Sequence, residues 1–298
     1  MATYYAVTPT VTTSGSATDQ AQTIDNIRNA FLSCSFIRTT QSGSIDDLTT
    51  LPTSSTVGTL RTYDIFAFND SWQATHPLFI RVRYFTGTAA SPPQAGLECY
   101  FSMGTAHNSS GSFTGVSTLT EITNTANWSY TVQTNQPTYA SGDGSYMAIS
   151  IHGNQATTAQ LAVFERFYDA NGLPTGSGFH MVGTNNNSTA KIIYSQACYY
   201  GQPPTTRDSI AIPCIKPSRA PSTYNGNRIL GMVFPFIGRP MNPSPNILFG
   251  DTTTFPTAYT TTTYTMYGTP RTYIPLSTAH NQTNSQIFSN NRFLLRYE

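Results

Sequence analysis

The side chains of this 298-residue chain that could do chemistry are few and scattered. Among the acids, Asp46 and Asp47 are adjacent, Asp143 lies between Gly142 and Gly144, and Glu165 sits beside Arg166 in an alternating run. Paired-carboxylate catalysis needs two acids about 5 to 10 Å apart, and no spacing here marks such a pair. Asp143 reads as a turn residue and Glu165 as a paired strand charge. The histidines His76, His107, His152, His180 and His280 form no HxH, HExxH or HxxxH pattern, so no trio announces a metal. His152, closing an apolar run, is expected to be buried and hydrogen-bonded. Cys34, Cys99, Cys198 and Cys214 are far apart and contain no CxxC, which predicts buried apolar thiols rather than a disulfide framework. There is no GxSxG, and Gly176-Ser177-Gly178 precedes a strand rather than a helix, so it is no phosphate loop. The chain therefore reads as no enzyme, with no catalytic, cofactor-binding or metal-binding set.

The aromatics leave two readings. Tyr4-Tyr5, Trp128-Ser129-Tyr130, Tyr199-Tyr200 and Tyr259, Tyr264 and Tyr267 could stack sugars, since Tyr and Trp combine an apolar body with a polar tip. The favoured reading is that they pack sheets and subunit contacts, because a pair such as Tyr199-Tyr200 puts one ring on each face of a strand.

Composition sharpens that choice. Only 10% of residues are charged, against about 25% in ordinary soluble domains. Of the 15 cations only Lys191 and Lys216 are lysine, the rest being Arg, while Phe and Tyr number 17 and 18. Interfaces favour Arg and aromatics and deplete Lys and Glu. The net charge is +1 and the charges occur singly, so nucleic acid is not expected as the principal ligand. No cationic start with an apolar core opens the chain, and no run of about 18 apolar residues suggests membrane insertion. The expected product is soluble in the cytoplasm where it is made, until it assembles. The Asn-x-Ser/Thr triplets at Asn69, Asn108, Asn127, Asn187 and Asn281 are read as chance in a chain so rich in these residues.

The elements that must position these residues follow from periodicity. Residues 1–17 read as an extended arm. One short helix follows, with Thr18 or Asp19 as N-cap, Ile24, Ile27, Phe31 and Leu32 at helical spacing, and an end near Cys34. Residues 45–58 read as a loop. Strands are predicted at 60–68, 77–85, 96–103, 128–134, 145–151, 160–168, 178–183 and 191–200. In the second of these, Leu78, Ile80, Val82 and Tyr84 face one side and Arg81 and Arg83 the other. Ser-Gly-Asp-Gly at 141–144 and Asp-Ala-Asn-Gly at 169–172 supply hairpin turns. The proline-dense stretch 202–245, with its apolar run 229–237, reads as an irregular crossing. Beyond it, 252–267 has high β-propensity and 286–298 reads as a closing strand. The fold expected is all-β: an antiparallel, jelly-roll-like β-sandwich over 59–298, preceded by arm, helix and loop over 1–58.

The run from Asp64 to Tyr84, which includes Asn69-Asp70-Ser71-Trp72-Gln73, then Gly87-Thr88-Ala89-Ala90, resembles a pattern of tailed-bacteriophage virion structural proteins. Ser141-Gly142-Asp143-Gly144-Ser145 and Val163-Phe164-Glu165-Arg166 extend the resemblance across about residues 60–185. It implies a β-rich homo-oligomer in the tail, baseplate, fibre or head of a virion, contacting other virion proteins. The chain lacks the collagen-like tracts of long fibres, and no catalytic residue is implied. A tail or tail-tip component is the first expectation. A head decoration or capsid protein, or a module binding host surface glycan, are the alternatives. The arm is expected to reach a neighbouring subunit, so deleting residues 1–17 should spare folding and impair oligomer formation.

Overall fold

The computed structural model describes residues 3–7, 17–40, 60–86, 97–107, 128–130, 138–152, 159–169, 171, 173–184, 192–198, 208–211, 223–224, 227–228, 231–232, 246–251, 262–266, 268–276 and 291–296. Outside them lie Asp46, Asp47, Cys214, His280, Tyr199, Tyr200, Tyr259, Tyr267, the 45–58 loop, the four triplets beyond Asn69 and most of the proline-dense stretch.

The helix α1 runs from Ala17 to Ser33. Ile24, Ile27 and Phe31 are buried along one stripe while Asp25 faces out, as a 3.6-residue period requires. It begins before Thr18 and Asp19, so these occupy the first turn rather than the cap, where an acid still suits the helix dipole. Its end is a Schellman motif: the Phe36 amide donates to the Phe31 carbonyl and the Ser35 amide to the Leu32 carbonyl. Ser35 takes the left-handed conformation at φ 66°. The Phe36 ring meets Phe31 edge-on at 5.8 Å, supplying the hydrophobic contact that accompanies this cap.

All other described elements are strands, and every pairing is antiparallel. The first sheet contains β1 (Thr3–Val7), β7 (Thr138–Gly142), β8 (Tyr146–His152), β9 (Ala159–Tyr168), β10 (Pro174–Thr184), β11 (Ile192–Cys198) and β12 (Asp208–Ala211), in that order. The second contains β2 (Ile37–Arg38), β3 (Leu60–Ala67), β4 (Phe79–Thr86), β5 (Leu97–Gly104) and β6 (Trp128–Tyr130). β13 (Thr223–Tyr224) and β14 (Asn227–Arg228) make a separate pair. A third sheet is ordered β15 (Gly231–Met232), β16 (Ile247–Asp251), β19 (Asn291–Arg296), β18 (Thr269–Leu276), β17 (Thr262–Met266). β18 went unforeseen because Pro270 and Pro275, which cannot donate to a ladder, break its sequence signal.

The first two sheets and α1 share one core. Ile80, Val82, Phe101 and Met103 of the second sheet meet Ala140, Met147, Ile149 and Phe164 of the first, with Ile24, Ile27 and Phe31 from the helix. Phe31 stacks on Phe66 at 4.3 Å and lies 6.0 Å from Phe164, joining all three elements. The first residues of the expected arm take a different place. β1 pairs with β7 of the same chain, Tyr4 opposite Ser141, because an unpaired β7 edge would leave backbone donors and acceptors unmet.

Candidate functional site

Three polar clusters gather the charges that lie apart in sequence. In the first, Asp64 points from β3 into the core, fully buried. Arg28 of α1 holds it through Nε at 3.2 Å, Arg38 of β2 through Nε at 2.6 Å, and the Tyr84 hydroxyl donates at 3.3 Å. Two guanidiniums and a phenol thus occupy this carboxylate as a structural tie between α1, β2, β3 and β4. Burial, then the adjacent Asp64, pushes the Tyr84 phenol well above its ordinary range.

The second centres on Arg166, fully buried on the core face of β9. It grips Asp70 in a bidentate pair at 2.5 and 3.0 Å, donates to the carbonyls of His76 and Gly176 at 3.2 and 3.1 Å, and lies 5.2 Å over the Phe68 ring. Asp70 also accepts from the Trp72 amide, and Gln73 from Leu78, so the β3–β4 connection is shaped around this guanidinium. His76 packs against Gly176, where an added Cβ would come within 2.6 Å of the ring.

Glu165, on the opposite face of β9, turns away from Arg166. Its carboxylate accepts from Asn246 Nδ2 at 2.5 Å, and the same amide reaches the Tyr168 hydroxyl at 2.6 Å. Asn246 Oδ1 accepts from Arg271 and Arg296 at 3.3 and 3.2 Å, while its backbone carbonyl takes the Arg296 amide. Ser141 and Tyr146 both donate to the Arg296 carbonyl, and Arg296 lies 3.6 Å from Asp143. The third sheet is thus bound to the outer face of the first through Asn246 and through Arg296, whose carbonyl and guanidinium both reach the β7–β8 hairpin. Burial, followed by Glu165, raises the Tyr168 phenol well above its usual range, and burial raises Tyr146 and Tyr273.

Asp143 also shapes the β7–β8 hairpin: its carboxylate accepts the Ser145 amide and hydroxyl at 3.1 and 2.6 Å, and Gly144 follows at φ 87°. The structure therefore gives Asp143 and Glu165 scaffold partners, and Glu165 pairs with Asn246 rather than with its neighbour Arg166. Sequence could not reveal Asn246, an unremarkable amide 81 positions from Glu165. Cys34 and Cys99 are buried thiols outside any disulfide, with Cys34 pushed up to about 12 by burial and then by Asp143. His107 meets Phe79 edge-on, and His152 and His180 are placed only by their strands. The described residues bring no three of His, Cys, Asp and Glu together in a metal-binding arrangement, and none of their helices is long and apolar enough to cross a membrane.

What these clusters can do is hold layers together. The complement is at the surface: among the described charged side chains, Asp25 alone is exposed, and all others are buried or half-buried. Leu173 at 59% exposure, Ile37 at 51%, Leu60 and Leu32 face solvent instead. Compared with protein-family models, with curated proteins and with solved structures, the chain finds no match.

Proposed function

We propose that this chain is a structural subunit of a virion, of the kind found in tailed phages, and works by self-association with further virion proteins around it. The observation that carries the reading is the placement of charge. A chain with 10% charged residues draws most of its described ionic groups inward and leaves Leu32, Ile37, Leu60 and Leu173 outside. A free monomer needs surface charge to stay dispersed, whereas a surface covered by neighbours does not. The two sheets that share a core are read as a sandwich, and their strand order, consecutive except where β1 lies beside β7, favours meanders over the crossing connections of a jelly roll. A place in the tail or its tip is the reading, with a capsid shell as the alternative.

Light scattering on the purified protein, followed by its location in intact particles by electron microscopy, tests this. A closed ring or larger oligomer that is also found in particles is the expected result. A stable monomer that no particle contains overturns it.

A further inference from the structure

β17 is the outermost strand of the third sheet, with β18 on one side and no further strand among the described residues on the other. Its sequence, Thr262-Thr263-Tyr264-Thr265-Met266, holds no charge, proline or glycine. The register sets Met266 opposite Thr269 across a two-residue turn, with Gly268 at φ 74°. Residues that flank such a turn bond to each other, and bonded and non-bonded pairs then alternate along the hairpin. Tyr264 therefore bonds with Arg271 and Thr262 with Tyr273, while Thr263 and Thr265 direct their backbone N–H and C=O groups to the open side. Pro270, which has no N–H to give, lies opposite Thr265, as this alternation allows.

Unpaired edges are templates for another strand, and native sheets guard them with charge, proline, a bulge, a cover or sheer brevity. The far edge of this sheet is guarded by brevity, since β15 is only Gly231–Met232. β17 has none of these devices: its pairing with β18 runs without a bulge, and Thr263 and Thr265 are both exposed. Two copies of such an edge can pair antiparallel about a two-fold axis, and an uncharged strand sets no like charges against each other there.

We infer that β17 is a self-association edge, taken by β17 of a second copy about a two-fold axis through Tyr264. Thr263 then faces Thr265 of the partner subunit, each such pair exchanges both backbone bonds, and the third sheets of two copies become one. This rests on the self-association reading and names the surface for it. A strand of 5 residues buries less than the ~1,200 Å² of a stable interface, so the contact is weak when it acts alone.

The test is sedimentation equilibrium of the full chain over a concentration series, where the parent's mass should rise with concentration. Thr265→Pro removes one outward N–H from each copy at a position where an edge strand accepts proline, and should weaken association about tenfold or more while the fold is kept. Thr265→Val leaves the backbone intact and should associate as the parent does. Should Thr265→Pro not fold, Thr263→Lys/Thr265→Lys sets like charges across the axis, and its weakened association should recover with salt. Association that Thr265→Pro or the Lys pair leaves unchanged, or that Thr265→Val weakens equally, overturns this edge and leaves the self-association reading standing. A parent chain that is monomeric throughout the series also overturns it, as it would if a strand of another virion protein filled the edge. Only absence from intact particles as well would overturn the structural reading.

Discussion

Ser35 and Asp64 show how much a single position can decide. Ser35 ends α1 at φ 66°, a conformation in which any Cβ is crowded and glycine is not. Ser35→Gly is expected to raise stability by about 0.5 to 1 kcal/mol, seen as a higher urea midpoint; a lower midpoint would show that the Ser35 side chain holds a contact of its own. Asp64 has no such slack. Two arginines and a phenol converge on it in the core, so Asp64→Asn leaves buried guanidinium charge without its counter-ion. A loss of about 3 to 5 kcal/mol is expected, and a urea midpoint within error of the parent would refute the account.

Between elements, close approach matters as much as attraction. Gly178, on β10, faces the second sheet: an added Cβ would stand 2.7 Å from the Glu165 carbonyl and 2.8 Å from both Leu78 and Met103. The carbonyl belongs to a strand and cannot yield, so Gly178→Ala should cost about 1 to 3 kcal/mol through overpacking. The control is Gly268→Ala: its site is open, and its φ of 74° confines any penalty to the backbone. Equal melting temperatures for parent and Gly178→Ala would mean that the sheets can part without penalty. The same logic explains why Gly176-Ser177-Gly178 resembles a ligand loop in sequence and is none. The pairing shifts register between Pro174 and Gly178, and the glycines let His76, Leu78 and Met103 come close.

For the molecule as a whole, buried protonated groups set a limit at high pH. Burial raises Tyr84, Tyr146, Tyr168 and Tyr273 above the phenol's ordinary 10.0, and Cys34 rises from 9.0 to about 12. In each case the unfolded chain releases the proton first, so folding stability does not depend on these groups below pH 9. It should fall as pH climbs through the unfolded values, each group adding about 1.4 kcal/mol per pH unit to the slope. Urea midpoints should be level from pH 7 to 9 and drop between 9 and 11, and a level midpoint throughout would contradict the buried state of these residues. The N-terminal segment carries a second whole-chain consequence. Because β1 closes the β7 edge from within, deleting residues 1–17 should lower the melting temperature and promote aggregation through that edge. An unchanged melting temperature would return the segment to the role of a free arm.

Periodicity made much of this architecture legible. The stripe Ile24, Ile27, Phe31 and the alternation Leu78, Ile80, Val82, Tyr84 are local patterns, since a helix or strand repeats along its own sequence, and both appear as read, except that Leu32, expected in the same stripe, falls just off it and is exposed. Asp143 and Asp169 were readable as turn residues for the same reason: their partners, Ser145 and Asn171, lie two positions away. Long-range partnership left no such trace. Nothing local ties Asp64 to Arg28 and Arg38, Arg166 to Asp70, or Glu165 to Asn246. Local order follows from bonds and sterics between near neighbours, so composition and spacing reveal it. Which buried charge meets which is settled only when sheets stack, because desolvation then forces each ionic group to the partner that the folded chain brings within reach.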